Sequence, residues 1–128
     1  ESPHFLFPHL LVVPEVINAI RDLRNRGFAT GLLSNNIAEA WPHVLSNLDV
    51  NGLFDVCVNS AFVGMRKPEK RIFSHMLNEL RLPPERVLFL DDVAINIDAA
   101  KSLGIKTLKV VNPVQSLAVM ETILMQGT

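Results

Sequence analysis

Two adjacent carboxylates, Asp91-Asp92, end the apolar run Val87-Leu88-Phe89-Leu90 and precede a helix-like stretch. An apolar run of that length reads as a strand buried on both faces of a parallel sheet. Its C-terminal end then delivers charge to the edge where open α/β folds place their ligands. Neighbouring carboxylates repel each other and resist desolvation, so a hard, oxygen-seeking cation such as Mg²⁺ is their simplest partner. The pair also reads as an acidic helix start, with Asp92 as N-cap and Asp91 favoured by the helix dipole. Taken alone, the pair supports both readings.

Two upstream features bear on that choice. Ser34-Asn35-Asn36 ends the run Ala29-Thr30-Gly31-Leu32-Leu33 and places a hydroxyl and two amides at another strand end. Lys67, in Gly64-Met65-Arg66-Lys67-Pro68, stands just before Ile72, Phe73, Met76, Leu77 and Leu80, which fall on one helical face. Pro68 suits a first helical turn, which would hold Lys67 at a helix entrance. By itself Lys67 also reads as a solvated lysine. Arg66 reads as solvated, with a contact to substrate as the alternative. His4, His9, His43 and His75 have no ligand spacing and are treated as non-catalytic. Cys57, the single cysteine, lies within Val56-Cys57-Val58 and is expected to be a buried structural thiol.

The elements that would position these groups alternate between helix and strand, as in a doubly wound α/β sheet. A helix from Pro14 is expected to bury Val16, Ile17, Ile20 and Leu23 and to stop at Gly27, and the strand ending at Ser34 follows. A second helix is expected over about 38–48, with Pro42 in its first turns and Trp41 and Val44 in the core; Asn51-Gly52 then turns the chain into a strand from Phe54 to Val58. The Lys67 helix is expected to end near Arg81, and Leu82-Pro83-Pro84-Glu85 leads to the acid-bearing strand. A helix to about Leu103, closed by Gly104, is followed by a strand from Ile105 to Val111. The last helix, from Asn112-Pro113, offers Val114, Leu117, Ala118, Ile123 and Leu124 for packing. Right-handed crossovers would bring every strand C-terminus to one edge. Asn96, one helical turn beyond Asp92, would share its face and could hold a metal-bound water, or be a surface amide.

Bulk properties bound the answer. With 128 residues, 48% hydrophobic and 20% charged, the chain is the length of one domain and can bury a core. A formal net charge of −1, with no basic block, gives no electrostatic case for nucleic acid or an anionic membrane. No apolar run approaches the ~20 residues of a membrane span, and no signal-like segment opens the chain. An intracellular, cytoplasmic location is expected, although a longer N-terminus could carry an organelle-targeting peptide.

In this order, Leu33-Ser34-Asn35-Asn36, then Gly64-Met65-Arg66-Lys67-Pro68, then Phe89-Leu90-Asp91-Asp92 with Asn96 resembles motifs II, III and IV of the haloacid dehalogenase-like hydrolase superfamily. The texture is most similar to the N-terminal phosphatase domain of soluble epoxide hydrolases and the related domain of acyl-CoA dehydrogenase-like proteins. A receiver domain combines similar residues, but there the acids come first and the lysine last. The resemblance implies a Rossmann-like core. It also implies that Ser34 binds the transferred phosphoryl group, with Asn35 beside it, that Lys67 neutralises it, and that Asp92 is the direct Mg²⁺ ligand, with Asp91 binding beside it or hydrogen-bonding Lys67 and Asn96 acting through water. The substrate would be a small phosphorylated metabolite or lipid phosphate, hydrolysed through an aspartyl-phosphate.

One departure is large: the family's first motif, an Asp-x-Asp carrying the nucleophile, occurs nowhere in the 128 residues. The expectation is therefore a C-terminal part, 14–128, of a core lacking its central strand and most of its cap, with 1–13 as a remnant of cap or linker. The apolar segment Phe5-Leu6-Phe7-Pro8 would be part of that remnant. Fusion to another catalytic domain is compatible with this. The chain alone is expected to be inactive and marginally stable, or closed by direct pairing of the two strands that flank the gap. Competing expectations are a haloacid dehalogenase-type hydrolase and a catalytically silent binding module.

Overall fold

The computed structural model describes residues 14–35 and 53–126. Asn36, the helix expected over 38–48 with Trp41, Pro42 and Val44, the Asn51-Gly52 turn, His4, His9, His43 and the 1–13 segment lie outside the described residues.

Helix α1 (Pro14–Asn25) opens with proline at its first position and Glu15 in its first turn, and it has Arg24 in its last; both charges suit the helix dipole. Val16, Ile20 and Leu23 are buried on one face, whereas Ile17 is only half-buried. The helix closes as expected at Gly27, whose φ of 93° lets Phe28 N–H reach Leu23 O at 3.0 Å and Gly27 N–H reach Arg24 O at 3.0 Å. The chain then enters β1 (Gly31–Ser34). After the undescribed segment come β2 (Val56–Asn59), the short helix α2 (Ser60–Val63) and α3 (Lys70–Leu80). A 3-10 turn at Pro84–Arg86 leads to β3 (Leu88–Asp91), followed by α4 (Ala94–Ser102), β4 (Lys106–Lys109) and α5 (Pro113–Gln126). No helix among the described residues is long and apolar enough to cross a membrane.

The strands form two parallel pairs. β1 pairs with β2 in the register Gly31↔Val56 to Ser34↔Asn59. β3 pairs with β4 in the register Leu88↔Lys106 to Asp91↔Lys109. Every residue of β1 and β3 is buried, whereas β2 and β4 carry exposed positions, as outer strands do. Among the described residues β1 and β3 do not pair with each other, so the expected direct closure is not what the described strands show.

The continuous apolar run Val87–Leu90 is explained by packing on both faces. Val87 and Phe89 join Leu33, Ile72, Phe73, Met76 and Ile97 under α3 and α4. The alternate residues Leu88 and Leu90 join Leu23, Val110 and Met120 under α1 and α5. Period-2 alternation thus puts successive side chains into different cores, the arrangement of helices on both faces of a parallel sheet. Phe73 and Phe89 meet edge to face with ring centroids 5.1 Å apart.

Several sequence expectations are corrected in detail. Cys57 is exposed: in β2 only the last two residues, Val58 and Asn59, are buried. In α5 the buried residues are Ser116 and Met120; Leu117, Ile123 and Leu124 pack at the margin, while Val114 and Ala118 are exposed. The face turned inward is that of Met120, four residues beyond Ser116. Helix α3 begins at Lys70, with Glu69 as N-cap, so Pro68 precedes the helix instead of opening it.

Candidate functional site

Ser34 and Asp91 are the last residues of β1 and β3, and in parallel pairs those ends lie at the C-terminal edge. Ser34 is 2% exposed and Asp91 is fully buried. The segment before α3 spans the space between them. Asn35 Nδ2 donates to Lys67 O at 3.0 Å, and Lys67 N–H donates to Asn35 Oδ1 at 2.9 Å. At the other end of the same residue, Lys67 Nζ donates to Asp91 Oδ2 at 3.2 Å, with both side chains at 0% exposure.

Asp91 is held on every side. Its Oδ1 accepts from Val93 N–H at 3.0 Å, and its Oδ2 accepts from Lys67 Nζ and from Asn96 Nδ2 at 3.0 Å. Asn96 is itself buried, on the first turn of α4. That bonding corrects two readings. The N-cap of α4 is Val93, so Asp92 does not cap the helix, and Asn96 is an interior amide rather than a surface one. One N–H of its amide is spent on Asp91. Asp92, by contrast, is exposed at the same edge.

Burial pushes the Lys67 ammonium down to about 8, and the charge and hydrogen bond of Asp91, with the charge of Asp92, keep it from falling further. The Phe89 ring centroid lies 5.9 Å from Lys67 Nζ, a further stabiliser of the cation. Lys67 is therefore not the solvated lysine that its local sequence alone allowed. Arg66 and His75 are placed away from this bonding: Arg66 N–H donates to Glu69 Oε1 at 3.2 Å, and His75 Nε2 stands 3.9 Å from Glu79 on α3.

The sequence reading passed over Asn59. It is 3% exposed and stands beside Ser34 in the β1–β2 register, so a third strand end at this edge carries a buried polar side chain. The signal was available, since Asn59 terminates Val56-Cys57-Val58 as Ser34 and Asp91 terminate their own strands.

A cation at this edge would be tested first by its donors. Both oxygens of Asp91 are engaged by protein N–H groups, and no cluster of three His, Cys, Asp or Glu side chains occurs among the described residues. Asp92 fits as one carboxylate ligand of a hard cation, but it is a single carboxylate where such ions take about six oxygens.

Comparison with known proteins agrees with this geometry. The sequence profile of haloacid dehalogenase-like hydrolases matches residues 4–104. The chain is 38% identical over 111 residues to acyl-CoA dehydrogenase family member 10 of Mus musculus, covering 87% of this chain and 10% of that one. It is 32% identical over 99 residues to bifunctional epoxide hydrolase 2 of Sus scrofa, covering 74% and 18%. Phosphatases and an (S)-2-haloacid dehalogenase stand among the other curated relatives. The chain spans less than half the length of each of these relatives. A HAD family enzyme from Bacteroides thetaiotaomicron, solved in complex with magnesium and inorganic phosphate, superposes with a TM-score of 0.71 at 26% identity, over 84% of this chain and 54% of that one. A matched profile over most of the chain, with a lysine–carboxylate pair and a buried serine at one sheet edge, places this protein in the family of haloacid dehalogenase-like hydrolases.

Proposed function

We propose that these residues are the C-terminal part of the core of a Mg²⁺-dependent phosphohydrolase that cleaves phosphomonoesters of small metabolites or lipids. The observation that carries this reading is the buried Lys67–Asp91 pair at 3.2 Å, with a serine hydroxyl and an exposed carboxylate at the same edge. Burying an ammonium is costly, and an anionic reaction centre is a direct use for one kept protonated near neutral pH.

In this mechanism Lys67 neutralises the equatorial oxygens of the transferred phosphoryl group, and Ser34 donates its hydroxyl hydrogen to one of them. Asp91 stays in the protein interior as counter-ion and anchor of Lys67. Asp92 would hold the magnesium ion, with Asn96 Oδ1 assisting through water. Magnesium, when bound, supplies further positive charge to a reaction whose catalysis is mostly positioning and neutralisation. The nucleophilic carboxylate, and the remaining metal ligands, belong to an Asp-x-Asp motif outside these residues, which on their own are inactive. Residues 1–13 belong to the cap or the linker to it, and the cap selects the substrate. Fusion to a second catalytic domain and a cytoplasmic location complete the proposal.

Dehalogenation is the second reading, favoured by the (S)-2-haloacid dehalogenases among the relatives. The protein carrying its native upstream segment should be assayed with an aryl phosphate and with a 2-haloalkanoate, each with Mg²⁺ and with a chelator. Phosphate release that needs Mg²⁺, without halide release, supports the phosphohydrolase. Metal-independent halide release replaces it with the dehalogenase, and neither product would leave a catalytically silent binding module.

A further inference from the structure

We infer that Asn35 is a positioning residue that acts through Lys67 rather than a group that touches the substrate. Its carboxamide brackets one residue of another segment: it donates from Nδ2 to Lys67 O at 3.0 Å and accepts at Oδ1 from Lys67 N–H at 2.9 Å. The two partners dictate the orientation of the amide, because a backbone N–H must meet an acceptor and a backbone carbonyl must meet a donor. A flipped amide would lose both bonds, so the side chain has one productive pose.

The inference goes beyond the proposed chemistry and, for its kinetic arm, rests on that reading. Lys67 has a long, flexible side chain, and its ammonium is useful only if delivered to a fixed point. Arg66 N–H bonds Glu69 Oε1 at 3.2 Å and Glu69 N–H bonds Arg66 O at 2.8 Å, contacts that close a local turn but fix it to no strand. Asn35 supplies that fixation from the end of β1. Asp91, held by Val93 N–H and Asn96, receives the ammonium at the end of β3. The path Asn35–Lys67–Asp91–Asn96 therefore links the C-terminal ends of two strand pairs that do not hydrogen-bond to each other among the described residues. Bracketing the backbone sets the origin of the lysine side chain, and Asp91 sets its end.

Two arms test this. In the 128-residue chain, the rate of Lys67 modification by an amine-selective reagent is read by mass spectrometry in the native protein, Asn35→Ala and Asn35→Asp. Lys67 is 2% exposed. Asn35→Ala should speed its modification by about tenfold while Lys70 and Lys101 are unchanged, and hydrogen exchange at Leu88–Leu90 should stay as slow as in the native chain. Asn35→Asp, which keeps the acceptor for Lys67 N–H, should fall between the two. In the protein carrying its upstream segment, Asn35→Ala should lower kcat about tenfold with KM changed less than about threefold, and should have no further effect on top of Lys67→Ala. An unchanged Lys67 modification rate overturns the bracketing role even if the protein proves not to be a phosphatase. A rise in KM, or an Asn35→Ala loss that multiplies that of Lys67→Ala, assigns the amide to substrate instead.

Discussion

Replacing Asp91 by asparagine and Asp92 by asparagine should have very different consequences for stability, although the two residues are neighbours in the chain. Asp91 is fully buried, 3.2 Å from Lys67 Nζ, and its two oxygens accept hydrogen bonds from Lys67, Val93 and Asn96. An amide at that position keeps an acceptor for Lys67 and Asn96 only by turning its NH₂ toward Val93 N–H, so one buried donor faces another, at a cost of about 1–3 kcal/mol. It also leaves the ammonium without its counter-ion. Breaking a buried pair in this way costs about 3–5 kcal/mol in total, a large share of the roughly 5–15 kcal/mol that holds a typical domain. The cost should depend on pH. The folded-state pKa of Lys67 is lowered from 10.5 to about 8, so between those values the unfolded chain holds a proton that the folded chain has released. The contribution of this group to stability is therefore flat below pH 8 and rises with pH across that window. Above about pH 8 the lysine is neutral in the native state, so at pH 9.5 the penalty of Asp91→Asn should shrink to the amide mismatch alone. Asp92 is exposed, and Asp92→Asn should change stability by no more than about 0.5 kcal/mol. Urea unfolding of the three chains at pH 6.5 and pH 9.5, with the m-value checked for constancy, reads all of this. A penalty for Asp91→Asn below about 1 kcal/mol at pH 6.5, or one equal at both pH values, would show that the pair is solvated and the reasoning wrong.

Two further outcomes concern the end of α3 and the charge of Lys67. Helix α3 ends on Arg81 with φ 59°, bonded as Gly27 and Gly104 are at the ends of α1 and α4, with Leu82 N–H reaching Leu77 O at 3.3 Å. Arg81→Gly removes the left-handed strain and should raise the urea midpoint by the equivalent of about 0.5–1 kcal/mol. In the protein with its upstream segment, kcat/KM for an aryl phosphate should decline above about pH 8 as Lys67 loses its proton; the residual activity of Lys67→Arg should lack that alkaline limb, since a guanidinium stays charged.

The residues with the clearest local chemistry were the ones legible in the sequence. Val87–Leu90 announced a strand packed on both faces, and Gly27 and Gly104 announced helix ends, because each signal depends on a few adjacent residues. The order of Ser34, Lys67 and Asp91-Asp92 pointed to a common edge. Of the two places open to Asp91, beside Asp92 on a metal or on Lys67, the sequence could not choose, since nothing in an Asp-Asp pair shows that the first carboxylate turns inward to Lys67, Val93 and Asn96. The Asn35–Lys67 bracket is a contact across 32 residues and leaves no periodic trace. Cys57 was misread because a short β-branched strand looks the same at the edge of a sheet as at its centre. For α5, apolar residues on more than one face left the rotation of the helix to tertiary packing, which chose the Ser116–Met120 side.

The central claim is that Lys67 and Asp92 serve a magnesium-dependent phosphoryl transfer that these 128 residues cannot complete alone. It is tested most directly by measuring aryl phosphate turnover, with and without Mg²⁺, for the 128-residue chain, for the protein with its native upstream segment, and for Asp92→Asn and Lys67→Ala in the latter. No turnover is expected of the chain alone, with Mg²⁺-dependent turnover by the longer protein and a loss of about 10²-fold or more in each variant. Mg²⁺-dependent turnover by the 128-residue chain, abolished by Asp92→Asn, would contradict the claim, as would a longer protein whose turnover is indifferent to Asp92→Asn.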